Sequence, residues 1–208
     1  MKNLATCFSL LLLLLAASIG VAQSEFTGGI IAGAVTTQVS GDGLGGWNKF
    51  GGTGGAWVNM SFSERYGLTM AMQFVQKGSR KPADPGNGDY NTFAYRLNYI
   101  DVPVMVSYKR ASARTPIQFN AGLYAGVLIS QEQLYNGSTT GITPPFNGYD
   151  IGAAGGASLW LGERSFVEFR ISTSILPSRN SPNPTNAWSY YEQGNYNQVL
   201  HLMYGFGF

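Results

Sequence analysis

Five large apolar residues at every second position, Leu200, Leu202, Tyr204, Phe206 and Phe208, end this sequence. At the side-chain period of two that a strand imposes, all five lie on one face. Termini fray unless something holds them, and a soluble domain rarely leaves its final residue as an aromatic on an apolar strand face. A strand that closes a membrane β-barrel is held on both edges, and its apolar face meets lipid. The ending therefore predicts a lipid-facing barrel.

Composition agrees. Charged residues make up 12% of the chain, where soluble domains carry about 25%. The 28 Gly, 12 Tyr and 12 Phe are too many for a helical protein. No stretch after Ala22 has the length and apolarity of a transmembrane helix. Low charge without a spanning helix is the combination expected of a barrel, whose strands give a weaker hydropathy signal.

The start of the chain reads as an export signal. Lys2 gives a positive n-region, Leu4 to Ala17 an apolar stretch, and Gly20-Val21-Ala22 small residues for cleavage. The expected organisation is a signal peptide over residues 1–22 and one barrel domain over 23–208. The alternative, an uncleaved anchor helix from Asn3 to Ser24, conflicts with the small, polar-spotted end of that run. Cys7 precedes the apolar core at Leu10 to Leu15, so the mature chain has no thiol for a disulfide or a cysteine-ligated metal, and no cofactor is expected. Losing Lys2 from 13 basic residues leaves 12 against 11 acidic ones. A chain so close to neutral excludes nucleic acid as a partner.

Eight strand-like segments follow: Thr27 to Val39, Phe50 to Phe62, Gly67 to Ser79, Phe93 to Tyr108, Ile117 to Ser130, Tyr149 to Leu161, Ser165 to Leu176 and Gln198 to Phe208. Each reaches the roughly 9–11 residues that a tilted strand needs to cross a membrane. Connections alternate, short at Ser63 to Tyr66, Lys109 to Pro116 and Gly162 to Arg164, and long in between. That rhythm predicts an all-β, eight-stranded, antiparallel up-and-down transmembrane barrel with short periplasmic turns and long extracellular loops.

Parity within the strands separates two faces. Val167, Phe169 and Ile171 oppose Glu168, Arg170 and Ser172, and Ile117, Phe119, Ala121, Leu123, Ala125, Val127 and Ile129 oppose Gln118, Asn120 and Tyr124. Alternation alone does not say which face is outside, and a secreted lipocalin-like barrel would turn the apolar face inward. The pair Glu168 and Arg170, the long loops gathered at one end and Phe208 favour the membrane arrangement. Aromatics near the short turns (Tyr66, Tyr108, Trp160, Phe166) and near the long loops (Tyr90, Phe93, Tyr95, Tyr135) suit interfacial girdles.

The segment Leu97-Asn98-Tyr99-Ile100-Asp101-Val102-Pro103-Val104-Met105-Val106-Ser107-Tyr108-Lys109 resembles a proline-bearing strand of PorT-like barrels, within the wider group of OmpA-like small outer-membrane β-barrel domains. Gly122 to Gly126, Tyr149-Asp150-Ile151-Gly152 and the Phe208 ending are similar to that family too. The resemblance implies an eight-stranded barrel of the outer membrane, surrounded by membrane lipid and lipopolysaccharide and presenting Phe208 to the barrel-assembly machinery. One relative serves protein secretion and gliding. A structural, adhesive or secretion-accessory role, without enzymatic activity, is the expectation. A proline inside a paired strand deletes a ladder bond, so a bulge is expected at Pro103.

Candidate chemistry is sparse. An eight-stranded barrel has an interior just filled by side chains, which disfavours a diffusion pore. Lys77, Asp101, Glu168, Arg170 and His201 share lumen parity and form a candidate polar network, structural or relaying protons. A lipid-modifying hydrolase would need His201 as base, Ser172 or Ser174 as nucleophile and Glu168 as orienter. Lateral uptake of a small apolar ligand would need a cavity and an opening between strands. Gly41-Asp42-Gly43-Leu44-Gly45-Gly46 matches a dinucleotide pattern without the helix such a site requires. Lys77, Arg80 and Lys81 approach a long loop where lipid phosphates lie. In the fourth long loop Trp188, Tyr190, Tyr191 and Tyr196 mix with amides, which suits a protein or glycan ligand or an interfacial girdle.

Overall fold

Alternating apolar and polar residues over ten or more positions fold here as strands that each keep one face from water. The computed structural model describes residues 25–110, 116–180 and 194–208. Eight long strands form the wall: β1 (Glu25–Ser40), β2 (Lys49–Ser61), β3 (Tyr66–Lys81), β4 (Phe93–Arg110), β5 (Ile117–Tyr135), β7 (Tyr149–Trp160), β8 (Ser165–Ser174) and β10 (Gly194–Gly207). Two short ones sit at the long-loop end, β6 (Ser138–Thr140) on β5 and β9 (Arg179–Asn180) on β10. Every long strand pairs antiparallel with its neighbours in chain order. β1 pairs with β10 from Gly29↔Gly207 to Ser40↔Tyr196, which closes the ring. Among the described residues no helix is long and apolar enough to cross a membrane; the strands span it.

The orientation of the wall follows from burial. Leu123 is 59% and Phe169 54% exposed, whereas Lys77 is 0% and Arg170 3% exposed. Each large apolar side chain left in water would forfeit roughly 1.5–3 kcal/mol, so a continuous apolar exterior requires lipid. The lipocalin arrangement is reversed here.

Strands β4 and β5 run past the expected ends, to Arg110 and Tyr135. Between Asn98↔Ser130 and Tyr99↔Leu128 the register shifts, leaving Ile129 as the extra residue of a bulge. Outward parity changes there from odd to even residues, and Glu132 comes to face Arg96 on the exterior. The bulge expected at Pro103 is absent. Pro103 pairs in register with Tyr124, and the ladder to β3 resumes on the same register after a gap between Met70↔Val104 and Gln73↔Asp101. The missing N–H thus costs pairing on one side and shifts nothing.

Large inward side chains are seated on glycines of the adjacent strand. A Cβ on Gly205 would stand 2.1 Å from the Phe166 ring, and one on Gly126 would stand 2.3 Å from Asp101 Oδ1. Neither position admits a side chain while its neighbour keeps this pose.

Candidate functional site

Inward parity brings the polar residues of eight strands into one lumen, which is layered along the barrel axis. In the central layer Lys77 Nζ lies 2.8 Å from Asp101 Oδ2 and 2.8 Å from Asp150 Oδ2. It also stands 4.6 Å from the centre of the Tyr99 ring and 4.5 Å from that of Tyr124. Asp150 accepts further hydrogen bonds from Ser174 Oγ at 2.7 Å and Asn197 Nδ2 at 2.9 Å. Buried charges at this density are tolerable because each is paired and hydrogen-bonded.

A second group lies toward the short turns. Arg170 Nε and Nη2 each reach Glu168 Oε1 at 2.6 Å, and Nη1 donates to Gln73 Oε1 at 2.9 Å. Glu168 Oε2 accepts from Ser158 Oγ at 3.2 Å. The five candidate lumen residues therefore all point inward, and four of them divide between two ion-paired groups. His201 belongs to neither: its Nε2 is 3.1 Å from Ser172 Oγ, and no described side chain hydrogen-bonds its Nδ1. Ser174 binds Asp150 and Glu168 binds Arg170, so the three-residue relay suggested for a hydrolase is not assembled. Both Ser172 and His201 are buried beside a cavity of only about 10 Å3.

Asp150 is the lumen residue that sequence reading missed. It has the parity opposite to Ile151, and continuing the sixth strand's alternation back to its first residues would have placed it inside. Lys77 is fully buried between two carboxylates and cannot meet lipid phosphates; Lys81 instead pairs with Asp89 at the surface.

The outer mouth is closed. Val39, Tyr95, Leu97, Tyr99 and Phe146 pack into one buried cluster. The Arg179 guanidinium caps it, 5.2 Å from the Tyr95 ring and 4.9 Å from that of Phe146, with Nε 2.6 Å from Asn195 Oδ1. Beside it the Asp42 carboxylate accepts hydrogen bonds from Ser79 Oγ and from the Leu44 N–H. Burial pushes the Asp42 carboxyl above its ordinary value, against those hydrogen bonds, which lower it. Residues 41–46, the glycine-rich pattern, form part of the turn between β1 and β2 with no helix. Tyr95 packs within this closed mouth, whereas Tyr196 has the outward parity of Leu200 and Leu202 and is buried there. Trp188, Tyr190 and Tyr191 lie outside the described residues.

The inner half is hollow. A cavity of about 490 Å3 opens between the short turns. Trp57, Trp160 and Phe166 line it with edge-on and tilted contacts, Trp57 to Phe166 at 5.3 Å and Trp160 to Phe166 at 4.9 Å. Trp160 and Phe166 were expected in an interfacial girdle; they share parity with Glu168 and face the lumen. Asn59, Gln118 and Asn120 supply amides to the same wall, and Glu168 and Arg170 form its floor.

A family model described as the outer membrane protein beta-barrel domain matches residues 20–180. Among solved structures, the Neisserial surface protein A aligns over 88% of this chain and 97% of its own at 13% identity, with a TM-score of 0.50. Ail, the attachment invasion locus protein of Yersinia pestis, aligns over 88% and 99% at 12% identity and a TM-score of 0.49. The outer membrane protein OprG from Pseudomonas aeruginosa aligns over 88% and 94% at 10% identity and a TM-score of 0.44. At 13% identity the likeness to the Neisserial protein speaks to fold alone. No curated protein matches this chain at a significant level.

Proposed function

The chain belongs to the outer membrane protein beta-barrel domain family, and on that premise we propose that it is a non-enzymatic envelope barrel acting through its long loops as a structural, adhesive or secretion-accessory component. It is an outer-membrane protein, its apolar exterior in lipid. The observation that carries the reading is the blocked lumen: the Lys77 layer crosses it and the Phe146 cluster closes its outer mouth. A barrel blocked twice serves poorly as a conduit, which leaves its surfaces as the means of action. Within the family, the Leu97 to Lys109 strand supports a PorT-like affiliation. Export by a signal peptide cleaved after Ala22, lipopolysaccharide around the outer wall and recognition of Phe208 by the assembly machinery belong to the same proposal.

Catalysis at His201 finds no support in this geometry, because its serine partner is buried with it and no described acid reaches Nδ1. Lateral uptake of an apolar ligand fits less well: across the ladder gap from Pro103, Ala71 borders the inner cavity of about 490 Å3, but Asn59, Gln118 and Asn120 line that cavity with amides that an apolar ligand would leave unmet.

Exchanging residues 181–193 for a Gly/Ser run of equal length tests the loop reading. Outer-membrane level and heat-modifiable migration should persist, while surface attachment or protein secretion falls to that of a strain lacking the protein. A loop-exchanged strain indistinguishable from wild type, beside a deletion strain with a defect, overturns it.

A further inference from the structure

The barrel is solid at its outer end and hollow at its inner one, and the hollow has a chemistry of its own. Its volume of about 490 Å3 lies within the range of small-ligand sites, about 300–1,000 Å3. Apolar surface comes from Trp57, Trp160 and Phe166, whose stack leans on the Gly205 backbone. Around them stand amides. Gln118 Nε2 donates to Asn120 Oδ1 at 2.9 Å and Asn120 Nδ2 to Ser158 Oγ at 3.1 Å, so each spends one amide hydrogen within the wall and keeps the second. Charge is confined to the rim, at Glu64, Arg65, Lys109 and Glu163, and to the floor.

We propose that this inner cup is a binding site for an amide-bearing sugar, the end of a glycan chain entering from the periplasmic side. Aromatic edges and faces meet the C–H surfaces of a sugar ring, and free amide hydrogens meet its hydroxyl and acetamido oxygens. The floor selects against charge. Arg170 already spends Nε and Nη2 on Glu168 and Nη1 on Gln73, so an ionic ligand would have to break a buried pair to gain one. A purely apolar ligand would strand the spare amide hydrogens away from water. The compartment agrees with the chemistry, since the cup opens among the short turns, which in outer-membrane barrels face the periplasm and its cell-wall glycan. The site is at the opposite end from the long loops and is independent of the role given to them.

The test uses the full barrel, folded in detergent micelles, with Trp47→Phe and Trp188→Phe leaving Trp57 and Trp160 as its tryptophans. Titration with N,N′-diacetylchitobiose should give a saturable fluorescence change, with maltose and a capped leucine as comparison ligands. Maltose, lacking the acetamido group, should bind about tenfold more weakly, and Asn120→Leu should weaken the chitobiose response about tenfold. Ser107→Phe, which fills the cup from β4, should abolish it while heat-modifiable migration is retained. If Ser107→Phe does not assemble, Ala71→Leu obstructs the cup from β3. No saturable response, an equal response to the capped leucine, or an undiminished response in the filled variant overturns the proposal and leaves the loop reading untouched.

Discussion

Lys77 Nζ meets Asp150 Oδ2 at 2.8 Å across 73 residues of sequence, from β3 to β7 with β4 and β5 between them. The contact crosses the lumen instead of following the wall, and with Asp101 on β4 it ties three strands to one ammonium group. Lys77→Met strands two carboxylates, so it should cost about 3–5 kcal/mol. Asp150→Asn leaves Lys77 its partner Asp101 and should cost about 1–3 kcal/mol. Urea unfolding in detergent, followed by loss of the heat-modifiable band, ranks the two. Lys77→Met proving no worse than Asp150→Asn would contradict the shared-cation account.

Glycine replacements should divide by what lies over them. Gly205→Ala drives a methyl into the Phe166 ring, whereas a Cβ on Gly155 would stand 3.7 Å from the nearest atom, Asn120 O. The first should lower stability by about 1–3 kcal/mol or displace Phe166, and the second should be nearly neutral. Folding yield into detergent and tryptophan emission report both.

Two loop carboxylates should respond to pH with opposite sign. Asp42, its pKa raised by burial, gives stability to its turn that is complete below the ordinary carboxylate value of 3.8 and is lost as pH rises through the folded value. Asp89, its pKa lowered chiefly by the hydrogen bond from Lys81, gives stability present above 3.8 and lost as pH falls through its depressed value. Hydrogen exchange of the two turns against pH should slope in opposite directions. Asp42→Asn should flatten the first and Lys81→Met the second; matching slopes in the unaltered protein would exclude the assignment.

Reconstituted in planar bilayers, the protein should pass no measurable ionic current. Phe146→Ala should leave the membrane equally tight, because the Lys77 layer lies beneath the outer cluster. Stable single-channel steps from the unaltered protein would show that the lumen is not sealed.

The wall was legible because lipid enforces a period of two: Val167, Phe169 and Ile171 opposite Glu168 and Arg170 announce both faces. The ends of β4 and β5 were not, because beyond Ile129 the strand continues as Ser130-Gln131-Glu132-Gln133, outside the hydrocarbon, where nothing selects apolar residues. The bulge was sought at Pro103, where a donor is missing, and found at Ile129, where parity must change hands. Phe166 and Trp160 were assigned by nearness to a turn, although parity with Glu168 already placed them inside. Asp150 stands at the very start of its strand, where only Tyr149 separates it from the loop, so its inward parity is weakly marked in the sequence. The lumen's layering has no sequence signature, because it depends on which side chains from distant strands share a height along the axis.

The seam between β1 and β10 pairs opposite ends of the described chain, Gly29 with Gly207 and Ser40 with Tyr196. Joining the most distant segments carries the greatest loop-closure entropy of any pairing in the sheet, and until it forms, the curled sheet offers two raw edges to any other strand nearby. Assembly is therefore a race between zipping the seam and aggregation. A catalyst that pairs with one edge until the other arrives would help this chain more than any added stability in the finished wall.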